Sequence, residues 1–141
     1  MGDRFVCENI NPKNKRSTDC VIRAISMAIG KTLEEVINDM VKIYFKTGWF
    51  ISDTKCVDRY LKECGFIKHP QLKKESGRKY TGREFCAYLN EFMKSGNPVI
   101  AKIGAHHITV FVNKGTTIEK DYKVVDTWDC STRCVGNWWS K

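Results

Sequence analysis

Asp19-Cys20-Val21-Ile22-Arg23-Ala24-Ile25-Ser26-Met27-Ala28-Ile29-Gly30 presents a broad apolar face, and the rest of the fold is arranged around it. Val21, Ile22, Ala24, Ile25, Ala28 and Ile29 recur at helical spacing, and Gly30 is the expected stop. An apolar surface this broad predicts a largely buried helix, which requires another layer to lie against. The preceding segment, Asn9 to Thr18, is polar and contains Pro12, so it reads as loop. Asp19 then suits the N-cap, with its carboxylate accepting from the exposed amides of the first turn. Cys20 falls in that turn.

Outward from this helix, Thr32-Leu33-Glu34-Glu35 is a capping box that opens a second helix through about Phe45. Its apolar stripe is Leu33, Val36, Ile37, Met40 and Tyr44. A third helix is expected from Asp53 to Cys64, burying Val57, Tyr60 and Leu61 and ending at Gly65. A second capping box, Thr81-Gly82-Arg83-Glu84, starts a fourth helix that packs Phe85, Leu89, Phe92 and Met93 and stops at Gly96. Beyond Pro98 the pattern changes to sheet. Val99–Ile103, Ile108–Val112 and Tyr122–Val125 are short runs rich in β-branched residues, and a further strand is expected from Cys134 to Trp139. Helices followed by antiparallel strands describe an α+β fold, with the Cys-bearing helix packed on a C-terminal antiparallel sheet. No repeat, low-complexity tract or long linker divides the chain, so residues 1–141 are read as one domain.

Composition narrows the function classes. Of 141 residues 42% are apolar, which excludes a disordered chain. No run approaches the roughly 20 apolar residues of a membrane span. The opening Met1-Gly2-Asp3-Arg4 lacks the basic-then-apolar order of a secretory signal, and a cytoplasmic location is expected. Seven cysteines, an odd number without an export signal, read as reduced thiols. Their spacings contain no C-x-x-C pair, which disfavours structural zinc. Apart from Cys20 they are expected in the core. The 24 Lys and Arg against 16 Asp and Glu give a formal charge of +8. These residues are dispersed, and the densest run, Lys68 to Lys79, reads as loop. A basic soluble surface is the simpler explanation, so nucleic-acid binding has only charge behind it.

The chemistry-bearing residues are spread along the chain. A thiol is a good nucleophile only as the thiolate, and the first turn of a helix favours that form through its exposed amides and dipole. A neighbouring imidazole completes the activation, and a third polar group must fix the imidazole. His106 and His107 stand at the start of the Ile108–Val112 strand, and Asp126 ends the Tyr122–Val125 run. Adjacent antiparallel strands bring such residues side by side. The two histidines point to opposite faces if extended, so only one meets Cys20. Asp129 is close enough to compete with Asp126.

Thr18-Asp19-Cys20-Val21-Ile22-Arg23-Ala24 resembles the Cys-bearing helix start of small papain-like and bacteriocin-processing-like peptidases. Asn97-Pro98-Val99-Ile100-Ala101, followed by His107-Ile108-Thr109-Val110-Phe111, is similar to their later sheet. Val125-Asp126-Thr127-Trp128 resembles their Asn-Ser-Trp segment, with Asp in place of Asn. The order Cys–His–Asp is the informative part of this likeness, which spans residues 14 to 129 in outline. It implies a papain-like fold of bacterial or phage type, with Cys20 as nucleophile, His107 as proton carrier and Asp126 as its orienting group. His107 is preferred because the resembling strands begin with His followed at once by an apolar residue; His106 is the alternative. Trp128 takes the place of the Trp that shields the His bond. The family's oxyanion-stabilising Gln is missing, and Asn14, six residues before Cys20, is its substitute.

The implied activity is a thiol hydrolase acting on a peptide or isopeptide bond, with no metal or organic cofactor. Transamidation uses the same groups. The reading from a different class is a binding or inhibitor protein on this scaffold, a phage or mobile-element factor directed at a host protein. For that role Trp138-Trp139 is the expected partner patch.

Overall fold

Helix-opening chemistry is realised as the sequence predicts. In a computed structural model, which describes residues 3–141, both capping boxes form. Met1 and Gly2, the start of the segment read as lacking a secretory signal, lie outside the described residues. The elements in chain order are β1 (Phe5–Cys7), α1 (Cys20–Ile29), α2 (Leu33–Thr47), α3 (Thr54–Glu63) and β2 (Ile67–His69). They continue with α4 (Gly82–Phe92), β3 (Val99–Ile103), β4 (His107–Asn113), β5 (Tyr122–Asp126) and β6 (Val135–Ser140). Among the described residues no helix is long and apolar enough to cross a membrane.

Among the described residues the fold is α+β: four helices about one six-stranded sheet of order β1-β5-β4-β3-β6-β2. The expectation of a purely antiparallel, C-terminal sheet is corrected. β1 joins the edge parallel to β5, pairing Val6 with Val125, so the sheet is mixed. β2, from the basic stretch read as loop, pairs with β6 at the opposite edge. Each has only three residues, too few for a period-two pattern to show.

Alternation along the strands sends side chains to two separate cores. On one face Ile22, Ile25, Met40 and Val57 from α1–α3 pack with Ile100, Val110, Val125 and Trp139. On the other, Phe85 and Leu89 of α4 pack with Val99, Ala101, Phe111, Val124 and Trp138. This corrects the partner-patch reading of Trp138-Trp139. β6 lies between β3 and β2, both of its faces are covered, and the two indoles are 7% and 1% exposed.

Other departures are local. α4 ends at Phe92, because Met93 adopts an extended conformation (ψ 127°), and the Phe92 ring expected in the core is exposed. Ile37 is likewise at the surface. All seven cysteines are free; Cys56, Cys86 and Cys130 are buried and Cys64 partly so. Cys7 and Cys134 are exposed, contrary to the core reading.

The Thr32 hydroxyl accepts from the Glu35 amide while the Glu35 carboxylate accepts from the Thr32 amide. Thr32→Ala removes one of the two bonds, so a loss of about 1 kcal/mol is expected in urea unfolding, with an unchanged m-value.

Candidate active site

α1 begins at Cys20, and its N-cap departs from expectation. Asp19 makes no side-chain bond to the first turn. Its carboxylate instead accepts from Arg23 Nε at 2.7 Å and from Asn11 Nδ2 at 2.9 Å. A guanidinium is a stronger donor than a neutral amide, and at i+4 it lies one turn along the same face. The first-turn amides are therefore left uncapped by Asp19, beside a half-buried Cys20 thiol.

The sheet supplies the partners. β4 and β5 pair antiparallel with Val110 opposite Val125. Continuing that register by one residue sets Thr109 opposite Asp126, and alternation gives His107 the same face as Thr109. His107 Nε2 lies 2.6 Å from Asp126 Oδ2, and the Thr109 hydroxyl donates to the same oxygen at 2.6 Å. The Cys130 thiol donates there as well, at 3.7 Å. Asp126 Oδ1 accepts from the Thr127 amide at 2.7 Å and from Arg23 Nη1 at 3.2 Å. Asp126 is only 2% exposed, yet both oxygens are fully engaged. Burial pushes its carboxyl up, but the bonds from His107 and Thr109 and the imidazolium charge outweigh it, so Asp126 titrates well below an ordinary carboxylate.

With Nε2 held by Asp126, Nδ1 is the imidazole nitrogen left to face Cys20, which lines the same cleft as His107. Burial again favours the neutral forms. For Cys20 it is outweighed by the neighbouring His107 imidazole, the Ile108 backbone amide and the positive charges of His107 and Arg23, so the thiol pKa falls. For His107, the bond to Asp126 and the nearby Cys130 and Cys20 thiols outweigh burial and raise the pKa. The two shifts are opposite in sign, and both move the pair towards a thiolate facing an imidazolium.

These groups border a cleft of about 470 Å³ whose walls include Arg16, Ser52, His106 and Trp128. The Trp128 ring lies 5.1 Å from the imidazole at 52° and is 37% exposed, so it covers one side of His107. His106 is exposed at the cleft and does not meet Asp126, which resolves the choice between the two histidines as to which one bonds the carboxylate. Asp129 is occupied elsewhere, accepting from the Ser131 amide at 3.0 Å and lying 3.5 Å from Arg83. Asn14 does not line the cleft; it sits exposed in the loop at a left-handed φ of 51°. Its assignment as second oxyanion donor therefore has no geometric support.

Arg23, Thr109, Thr127 and Cys130 complete the site and were not singled out by the sequence reading. Arg23 carried a usable signal: a charge within the apolar surface of a helix expected to be buried. Thr109 carried another, two residues from His107 on a strand. Cys130 carried none.

His107, Asp126 and Cys130 also bring a nitrogen, an oxygen and a sulfur within 4.8 Å of one another, a group able to hold a metal ion. The same atoms form the hydrogen bonds above, so a metal there would displace the Thr109 and Cys130 donors from Asp126. Comparison of the chain with known protein families, curated proteins and solved structures finds no match.

Proposed function

We propose that this protein is a papain-like thiol hydrolase acting on an amide bond, of a peptide or an isopeptide. The observation that carries this reading is the His107–Asp126 hydrogen bond, with Asp126 buried, beside a Cys20 that opens to the same cleft as His107. A core cysteine needs neither partner. Cys20 Sγ attacks the substrate carbonyl, and the carbonyl oxygen gains charge beside the uncapped Cys20 amide. The imidazolium proton passes to the leaving nitrogen, the C–N bond breaks, and an acyl-thioester remains on Cys20. His107, now neutral, takes a proton from water, which attacks the thioester and returns free thiolate. Asp126 keeps the imidazole in one orientation and stabilises its charge throughout.

A second reading, a binding or inhibitor protein on the same scaffold, draws support from the position of Asn14 away from the cleft, which leaves the oxyanion with one backbone donor.

The test is iodoacetamide labelling across pH with peptide mapping, followed by a turnover screen on peptide amides and thioesters. Because the Cys20 pKa is lowered and the thiolate is the form present above the pKa, fast labelling should persist below the ordinary thiol range near pH 8.5. It should be confined to Cys20, and turnover should vanish in Cys20→Ala. Slow and equal labelling of several cysteines would sink the catalytic reading; fast labelling without any turnover favours the binding protein.

A further inference from the structure

We infer that the cleft takes a substrate bearing a carboxylate close to the scissile bond, with Arg16 as the group that receives it; this rests on Cys20 being the nucleophile. Arg16 Nη2 donates to the Thr127 carbonyl at 2.8 Å, which pins the guanidinium at the cleft wall. The anchor is itself fixed, since Thr127 follows Asp126 and donates its own amide to that carboxylate.

The other charges of the cleft are already balanced. Arg23 is paired with both Asp19 and Asp126, and the His107 ring faces Asp126 and Cys20. Arg16 has no carboxylate partner among the described residues, in contrast to Arg23, Arg59 and Arg83. No Asp or Glu among the described residues lines the cleft, whereas the exposed His106 stands with Arg16 on its wall. One of five guanidinium N–H groups is spent on the Thr127 carbonyl, leaving a donor face suited to a planar carboxylate.

The carboxylate has two chemical sources: an acidic side chain flanking the cleaved bond, or a free chain terminus. The shared chemistry can be read with the small alkylating pair iodoacetate and iodoacetamide, which differ in charge and react at the same sulfur. The ratio of their rates at Cys20 cancels changes in thiol reactivity common to both.

Replacing Arg16 by Gln should lower the iodoacetate-to-iodoacetamide ratio about fourfold, the effect of one charge at about 5 Å in an aqueous setting. Arg16→Lys should restore part of it, and the wild-type ratio should fall as salt rises. The source is then assigned by protection of Cys20 from iodoacetamide. Protection by N-acetyl-glutamate amide indicates a flanking acidic side chain, and protection by N-acetyl-glycine indicates a chain terminus. An equal ratio in wild type and Arg16→Gln, or equal protection by neutral N-acetyl-glutamine amide, overturns the carboxylate subsite while leaving the nucleophile intact. Absence of any fast-reacting Cys20 overturns the nucleophile, and the subsite with it.

Discussion

Arg23→Met should cost about 3–5 kcal/mol of folding stability, because it strips the guanidinium that bridges two carboxylates and leaves Asp126 with only His107 and neutral donors and Asp19 with only Asn11. Arg23 is 6% exposed, and its guanidinium bridges Asp19 at 2.7 Å and Asp126 at 3.2 Å. Methionine replaces the packing but leaves Asp126 to ionise inside the protein against only neutral donors and the imidazole. The loss is read by urea unfolding, and its pH dependence has a definite sign. Asp19 and Asp126 both titrate below their ordinary value of 3.8 in the folded protein, with Arg23 among the causes for Asp19 and paired with Asp126. A carboxylate depressed by folding contributes stability above its unfolded pKa and loses it as pH falls through the folded one. The deficit of Arg23→Met should therefore be full at neutral pH and shrink in acid, below about pH 4, where the carboxylates of the unfolded chain protonate. A deficit independent of pH would assign Arg23 a packing role only.

The second large effect is expected on reactivity. In His107→Ala the Cys20 sulfur loses the neighbouring imidazole and its positive charge, the principal lowering influences on its pKa. A thiol returned to the ordinary value near 8.5 is about 0.3% thiolate at pH 6, so iodoacetamide labelling there should slow on the order of 100-fold. The gain in intrinsic nucleophilicity that accompanies a higher thiol pKa trims this figure but does not reverse it. The difference should narrow as pH rises towards 9, where an ordinary thiol ionises on its own. His106→Ala supplies the control, because that ring is exposed and does not meet Asp126; its labelling profile should match wild type at every pH.

Much of this architecture is legible in the residues. The apolar run after Cys20 is long enough to declare a buried helix, and both Thr-x-x-Glu boxes state where α2 and α4 begin. Period-two patterning places β3, β4 and β5 within a residue at either end. From those strands the neighbourhood of His107 and Asp126 follows, since an antiparallel pair joined by a short connection aligns the start of one strand with the end of the next. What the pattern does not carry is pairing at the sheet edges. Phe5–Cys7 and Ile67–His69 are too short to show alternation, and their partners, β5 and β6, lie far along the chain. The Trp138-Trp139 misreading has the same origin: two adjacent apolar residues look like a surface patch unless both faces of the strand are known to be covered.

Polar groups are harder still. An Asp before a helix is a cap by default, and only the position of Arg23 one turn on turns the Asp19 carboxylate away from the first-turn amides. Asn14 was expected near the nucleophile from its spacing, but spacing along a loop fixes no direction, and a left-handed φ at Asn14 belongs to a path that leaves it outside the cleft lining.

The proposed chemistry requires Cys20 to rest as a thiolate held against a charged His107. Thiolate absorbs in the near ultraviolet where the thiol does not, so the difference spectrum of wild type minus Cys20→Ala, followed over pH, reports this one sulfur. Thiolate absorbance is expected already at neutral pH, fading only in acid, with His107→Ala moving the transition up towards the ordinary thiol range. A Cys20 signal that first appears above about pH 8.5, at the same pH with or without the imidazole, would contradict it.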